Sequence, residues 1–406
     1  NFGKISAFWA LLFGLPFFIK EGVAISTHWF LHAIFVEYIP FIVLLLALFT
    51  ISGGIVLRGN FVGTPKLNLF FLISGTVLAS WMGTTGAAML LIRPVIRANI
   101  WRKSRTHVKI FFIFLVANIG GALTPLGDPP LFIGFLKGVD FFWTIKYMFF
   151  PMLFVSILLL ILFYLIDSYY FNKEEKDKPE SKPINFSIQG KFNLILILAV
   201  IFAVIFSGSY KDSLGKIILF GNELRITFIL RDIFLLILTI VSYKLGSIDL
   251  RKENGFTWFP ITEVAKLFAG IFITVIPALS ILKLDYANSF SEFSSSMYFW
   301  LTGILSAFLD NAPTYLVFFT STNQSSTELM DGVIILLAIS SGAVFMGALT
   351  YIGNAPNFMV RSIAEENGIP MPSFFGYMLW SFSILIPILL LYSLLWFYFD
   401  IFNYIN

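Results

Sequence analysis

Residues 121–130 read GALTPLGDPP and residues 347–356 read GALTYIGNAP, a self-match in which Gly121, Ala122, Leu123, Thr124, Gly127 and Pro130 recur at one fixed shift as Gly347, Ala348, Leu349, Thr350, Gly353 and Pro356. Leu126/Ile352 and Asp128/Asn354 are near-replacements within the same window. Each copy interrupts a long apolar run. Proline removes a backbone donor and clashes with the preceding turn, so no helix continues through Pro125, Gly127, Pro129 and Pro130. Inside hydrocarbon such backbone is tolerated only where protein buries it or a polar cavity accompanies it. The repeat therefore demands a bundle of helices wrapped around two broken ones.

The flanking runs are long enough to make that bundle a membrane protein. Apolar stretches at 39–57, 144–166, 226–245, 267–283, 333–349 and 374–399 approach the roughly 20 residues that cross a bilayer. Only 12% of residues are charged, against roughly 25% in a soluble domain, which excludes a lone anchor on a soluble protein. The net charge of +4 sits in loops, and no basic stripe alternates with the aromatics, so no nucleic-acid partner is expected. Without cysteine there is no disulfide, thiolate metal site or cysteine nucleophile. Residues 5–19 are apolar but no small-residue cleavage site follows, so no cleavable signal peptide is expected; the start at Asn1 without Met suggests that native residues precede it.

Residues 172–190, rich in Lys, Glu, Asp and Pro, read as a cytoplasmic linker between a first half, 1–171, and a second, 191–406. Upstream of each repeated motif lies a second matched part: LASWMGTTGAAM (78–89) and LSAFLDNAPTYL (305–316) are apolar runs with polar, turn-forming centres. They read as re-entrant helical hairpins at about 66–92 and 297–322, followed by broken helices at about 108–138 and 333–366. Arg93, Arg97, Arg102, Lys103, Arg105 and Lys109 follow the first hairpin and place it on the cytoplasmic side. The segments 284–297 and 320–332 around the second hold no Lys or Arg but hold Asp285, Glu292, Glu328 and Asp331, which places it outside. The expected fold is an all-α polytopic membrane protein of two inverted repeats.

Asp128 before Pro129 reads as an N-cap with proline at the first helical position, and Asn354 repeats that design. Thr84 or Thr85, and Asp310 or Asn311, would cap the returning halves of the hairpins. Four helix N-termini would then converge, each worth roughly +0.5 elementary charge. Asp128 and Asp310 would bring the cluster near neutrality, and Thr, Asn and freed carbonyls would complete an oxygen-only shell suited to transported Na⁺ or Li⁺, with the carboxylates exchanging H⁺. An intramembrane acid is costly and so functional by default. The plainer alternatives are that Asp128 is only a cap, that Asn311, Thr84, Thr85, Thr124 and Thr350 only satisfy broken backbone, and that Asn118 only bonds a neighbouring helix. Elsewhere, Arg231–Asp232 reads as a snorkelling pair, Glu37 as interfacial, and His28, His32 and His107 as loop or interfacial residues. No nucleophile with a partnered base and no paired metal ligands are visible, so no enzyme and no resident cofactor are expected.

NIGGALTPLGDPP (118–130), SAFLDNAPTY (306–315) and GALTYIGNAPN (347–357) resemble the NhaD/ArsB branch of the ion transporter superfamily, with the nearest likeness to NhaD-type sodium/proton antiporters. The resemblance covers nearly the whole chain. It implies a scaffold domain that forms a homodimer, a transport domain of two hairpins and two broken helices, and elevator-type alternating access in a bacterial inner membrane. It also implies a cation site on Asp310 with Asn311, joined by Thr124 and Asp128. The first hairpin departs from the pattern: Gly83-Thr84-Thr85-Gly86 has neither an acid nor the Ser-Asn-Thr signature of the related dicarboxylate carriers. A small-anion carrier, for a dicarboxylate or citrate, or an arsenite carrier, is the competing expectation.

Overall fold

The computed structural model describes residues 2–174, 185–285 and 293–399. The linker residues 175–184, the loop residues 286–292 and the last seven residues, to which parts of the linker, outer-loop and second-half expectations refer, lie outside that range.

Helices α1 (Phe2–Glu21) and α2 (Val23–His32) part at Gly22, whose φ of 80° suits glycine. From α2 the chain passes through a π-helical turn, Ala33–Tyr38, into α3 (Ile39–Ser52). Strand β1 (Val56–Gly59) leads to the first hairpin, α4 (Pro65–Met82) and α5 (Thr84–Ala98). Thr64 caps α4 by accepting from Leu67 N at 3.3 Å, and Pro65 occupies the first helical position, where its missing donor costs nothing. The first broken helix is α6 (Thr106–Leu115), a 3₁₀ turn Ile119–Leu123, and α7 (Pro129–Leu136). Helix α8 (Phe141–Lys173) follows, then strand β2 (Phe186–Gln189), which pairs antiparallel with β1.

In the second half α9 (Lys191–Ser209), the hairpin of β3 (Lys216–Leu219) and β4 (Asn222–Arg225), α10 (Ile226–Leu245), the short α11 (Ile248–Glu253) and α12 (Phe259–Asp285) precede the second helical hairpin, α13 (Ser295–Leu309) and α14 (Asn311–Ser321). A short α15 (Ser326–Gly332), held by a capping box of Ser325 and Glu328, leads to the second broken helix. That helix is α16 (Ile334–Met346), a 3₁₀ turn Gly347–Leu349, and α17 (Ala355–Glu366); α18 (Phe374–Ser393) follows. The paired helices thus lie at 65–98 and 295–321 and the interrupted helices at 106–136 and 334–366. The apolar run 333–349 is not a full crossing, because it ends in the break and meets α15 at 96°.

Among the described residues eight helices are long and apolar enough to cross a membrane, and the chain is a multi-pass membrane protein. The helices pack as two bodies: α1–α3 with α9–α12, and α4–α8 with α13–α18. Burial shows which elements are central. The segment Thr106–Leu123 is 89% buried, whereas α1 is 11% buried and turns Phe8, Leu11 and Leu15 outward. The broken helices therefore run through the middle of the second body, where the backbone they free can find partners.

Where four helix ends meet, the second body holds a buried ionic cluster. Asp167 of α8 accepts from Arg102 Nη1 at 2.6 Å and Asn68 Nδ2 at 3.0 Å, and His107 Nε2 lies 2.7 Å away. Arg102 and Asp167 are 0% exposed, and Asn68 and Asn99 exchange amide bonds beside them. His107 is thus not a loop residue, since it is buried in the first turn of α6. Lys109, expected in a cytoplasmic loop, is likewise buried in α6 and donates to Arg105 O at 3.0 Å. One further expectation is corrected. Arg231 is buried against Phe228 and Phe132 and paired to Asp232 at 2.7 Å instead of snorkelling to water. Glu37 lies in the π-helical turn, paired with Lys137.

Removing one partner of a buried pair strands the other charge at a cost of about 3–5 kcal/mol, whereas exposed pairs contribute about 0–1 kcal/mol. Asp167→Ala is therefore expected to lower the detergent-solubilised melting temperature strongly, and Glu253→Ala, which breaks the exposed Arg58–Glu253 pair, to leave it nearly unchanged. Equal melting temperatures for the two variants would contradict the assignment.

Candidate functional site

Each hairpin turns on one residue. Between α4 and α5 it is Gly83, with φ 81° and ψ 148°; between α13 and α14 it is Asp310, with φ 75° and ψ 144°. Glycine adopts this region freely, while a side chain there costs about 1–3 kcal/mol. The second hairpin thus spends stability to put a carboxylate at its tip.

The breaks in the helices are stitched to the hairpins in the same way in both halves. Thr124 Oγ1 donates to Ser80 O and accepts from Leu126 N; Thr350 Oγ1 donates to Ala307 O and accepts from Ile352 N and Gly353 N. The chain folds back on itself so closely that a Cβ at Gly127 would lie 2.2 Å from Gly121 O, and one at Gly353 2.5 Å from Gly347 O. That contact is why the repeated motif keeps its glycines. Further freed carbonyls are taken by Ser80 Oγ, which donates to Gly120 O at 2.5 Å, and by Asn357 Nδ2, which donates to Gly347 O and Thr350 O at 2.8 and 2.9 Å. Thr84 N donates to Gly127 O at 2.9 Å and brings the first hairpin tip onto the first break.

Asp128 and Asn354 occupy the N-cap positions of α7 and α17, yet neither side chain bonds its own helix. Asp128 is therefore not only a cap. Its carboxylate, 1% exposed, receives one donor from each of the three other tips: Thr84 Oγ1 at 3.2 Å, Asn311 Nδ2 at 2.5 Å and Asn354 Nδ2 at 2.8 Å. Asp310, partly exposed, accepts from Ala312 N at 3.2 Å and so caps α14. Among the described residues neither Asp128 nor Asp310 has a Lys, Arg or His ion-pair partner.

Two neutral oxygens beside this centre have no donor. Asn118 commits Nδ2 to Ile113 O at 2.8 Å and Asn357 Oδ1 at 2.7 Å, and Asn311 commits Nδ2 to Asp128, which leaves both Oδ1 atoms buried and unpaired. Gly347 opens the space there: a Cβ on it would lie 3.1 Å from Asn118 Oδ1, 3.3 Å from Gly353 O and 3.5 Å from Asn311 Nδ2. Buried acceptors without donors attract a cation or the hydrogens of water.

The structure thus brings together Asp128, Thr84, Asn311 and Asn354, with Asn118 alongside and Asp310 at the neighbouring tip. Thr124 and Thr350 serve the backbone, as the plainer alternative had it. Thr85 is half-buried, bonds none of the described residues and stays outside the cluster. Sequence reasoning missed Ser80 and Asn357. The first lies inside the quoted hairpin segment; the second ends the second motif, where the first repeat has Leu131. Among the described residues no group of three His, Cys, Asp or Glu could hold a metal, so any cation here relies largely on neutral oxygens.

No curated protein matches the chain. A family model described as "putative citrate transport" matches residues 1–397. The chain therefore belongs to this transporter family, which is of the ion transporter type.

Proposed function

We propose that this membrane transporter is a secondary active carrier that exchanges Na⁺ or Li⁺ for H⁺ where the four helix tips meet. The observation that carries the reading is the donor set. Asp128, Asp310 and the unpaired Asn118 and Asn311 oxygens offer only acceptors, and among the described residues no Lys, Arg or His pairs with either carboxylate. Hard oxygen donors of this kind suit small hard cations.

The charges support exchange. The N-termini of α5, α7, α14 and α17 together contribute roughly +2, which two ionised carboxylates offset. In the proton-loaded state one of these carboxylates, Asp310, carries a proton; an arriving Na⁺ takes that proton's place, so the charge of the buried site is the same before and after, and in reverse protonation expels the cation. Asp310, at the partly exposed tip, is the group suited to exchanging the proton, while Asp128 aligns the tips. We read the two halves as inverted repeats and the second body as the part that moves against the first to expose the site alternately.

A second reading comes from the family description: the carried solute is citrate. The converging N-termini favour an anion, but two carboxylates without a basic partner oppose a polyanion unless cations accompany it. That reading predicts citrate flux that needs a co-transported cation.

Proteoliposomes with an internal pH dye, challenged in turn with Na⁺, Li⁺, K⁺ and citrate, separate the readings. Na⁺- or Li⁺-driven proton movement without citrate is expected, and Asp128→Asn should reduce it at least about a hundredfold, as removal of a buried ligand commonly costs ~3 kcal/mol. Citrate-dependent flux with no cation-driven proton movement would overturn the exchange reading. Gly347→Ala places a methyl against Asn118 Oδ1 and should weaken Na⁺ affinity about tenfold while the protein still folds. Asp310→Gly separates function from stability: it relieves the positive φ, so the melting temperature should hold or rise, while proton-coupled transport is lost. Full transport by that variant would remove Asp310 from the mechanism.

A further inference from the structure

Outside the tips, one ion pair joins the two bodies at a place that bears on the site. Lys137 follows the last residue of α7 and pairs through Nζ with Glu37 Oε1 in the π-helical turn of the first body. Helix α7 has only eight residues, so Lys137 lies about 12 Å from Asp128 along one two-turn rod. We propose that Glu37 is a positioning residue for the transport site: in this conformation it fixes the Lys137 end of α7 and so sets where the Asp128 carboxylate stands among the other three tips.

Three observations carry this. First, the other described contacts of α7 across the seam are ring–ring and cation–π. Phe41 of α3 meets Phe132 of α7 with ring centroids 6.4 Å apart, and the Arg231 guanidinium of α10 lies 5.6 Å from the same ring. Such contacts permit sliding and fix no register, whereas an ion pair defines a point. Second, the pair is shielded, with side chains 29% and 10% exposed for Lys137 and Glu37. A second ion pair across the seam, Arg97–Glu253, spans 3.8 Å at 51% and 28% exposure. The shielded pair is the stronger anchor. Third, Glu37 sits in a π-helical turn within the helix that runs from Val23 to Ser52. The wider turn rotates the side chains that follow it, and such turns concentrate at functional places in helices. His32 Nδ1, 3.8 Å from Glu37 Oε1, also faces the pair.

Asp128 is held by donors at 2.5–3.2 Å from three separate elements, so a shift of a few tenths of an ångström at its end of α7 loosens all three at once. The inference rests on the reading that Asp128 helps to bind the transported ion. It concerns affinity and not the identity of that ion.

The test is steady-state flux by the full chain in proteoliposomes. KM and kcat are measured for whichever solute the wild type carries among Na⁺, Li⁺ and citrate. Glu37→Gln is expected to raise KM about tenfold with kcat within about twofold, because ground-state alignment is what it loses. Lys137→Gln should do the same, and it serves as the test if Glu37→Gln does not fold. The charge-exchanged double variant Glu37→Lys/Lys137→Glu should bring KM back to within about threefold of wild type, which ties the effect to the pair, while the rise of KM at near-constant kcat in the single variants is what a purely structural defect would not give. A KM unchanged in both single variants, or a double variant no better than the singles, overturns the proposal. Wild type carrying citrate without a cation would sink the exchange reading and leave this test standing.

Discussion

A helix cannot stop in the middle of a membrane unless something pairs the amides and carbonyls it frees. In this protein that requirement is met by the hairpins: Thr124 and Ser80 on one side, and Thr350 with Ala307 on the other, close each break against the last turns of a helix that itself ends near the same depth. The glycines of the repeated motif let the chain pass within contact of itself, and Asn357 takes two of the remaining carbonyls. Hairpin and broken helix are thus one construction, which explains why the two parts occur together and in the same order in both halves.

The site is a consequence of that construction. Four helices must begin where the breaks and hairpin tips meet, and their N-termini bring positive potential to one spot. Asp128 answers it and is bound by a donor from each of the other three tips, so a single carboxylate couples all four. The symmetry of the halves ends there. Asn354 stands where symmetry would repeat Asp128, and Asp310 stands where the first hairpin has Gly83 in the same backbone conformation. These two departures put one acid in the interior and one at a strained tip, and the proposed exchange gives the first a holding role and the second an exchanging one. Outside the tips, the buried Arg102–Asp167–His107 cluster ties the feet of the second body, and Glu37–Lys137 ties one rod of it to the first.

Much of this was legible in the residues, for definite reasons. Proline and glycine in a repeated, membrane-length apolar context force breaks, and the helix ends at Leu115, Pro129, Met346 and Ala355 fall around those residues. Asp128 before Pro129 announced a helix start. What could not be read was where the carboxylate would point. Local rules favour bonding its own helix, and only the long-range approach of Thr84, Asn311 and Asn354 draws it away. The same holds for His107 and Lys109, whose charges suggested solvent, and for Glu37, whose partner lies a hundred residues away. Thr84 and Thr85 were equivalent by sequence; the tip geometry buries one and leaves the other half-buried outside the cluster.

The central claim is that cation and proton compete for the carboxylates at the four tips. It is tested most directly by adding NaCl to the detergent-purified protein in weak buffer and recording released protons with a pH electrode, against choline chloride as control. The account predicts a saturable, Na⁺-specific proton release that the Asp128→Asn/Asp310→Asn double variant lacks. Absence of release from the wild type, with citrate binding detected in the same sample without any cation requirement, would contradict it.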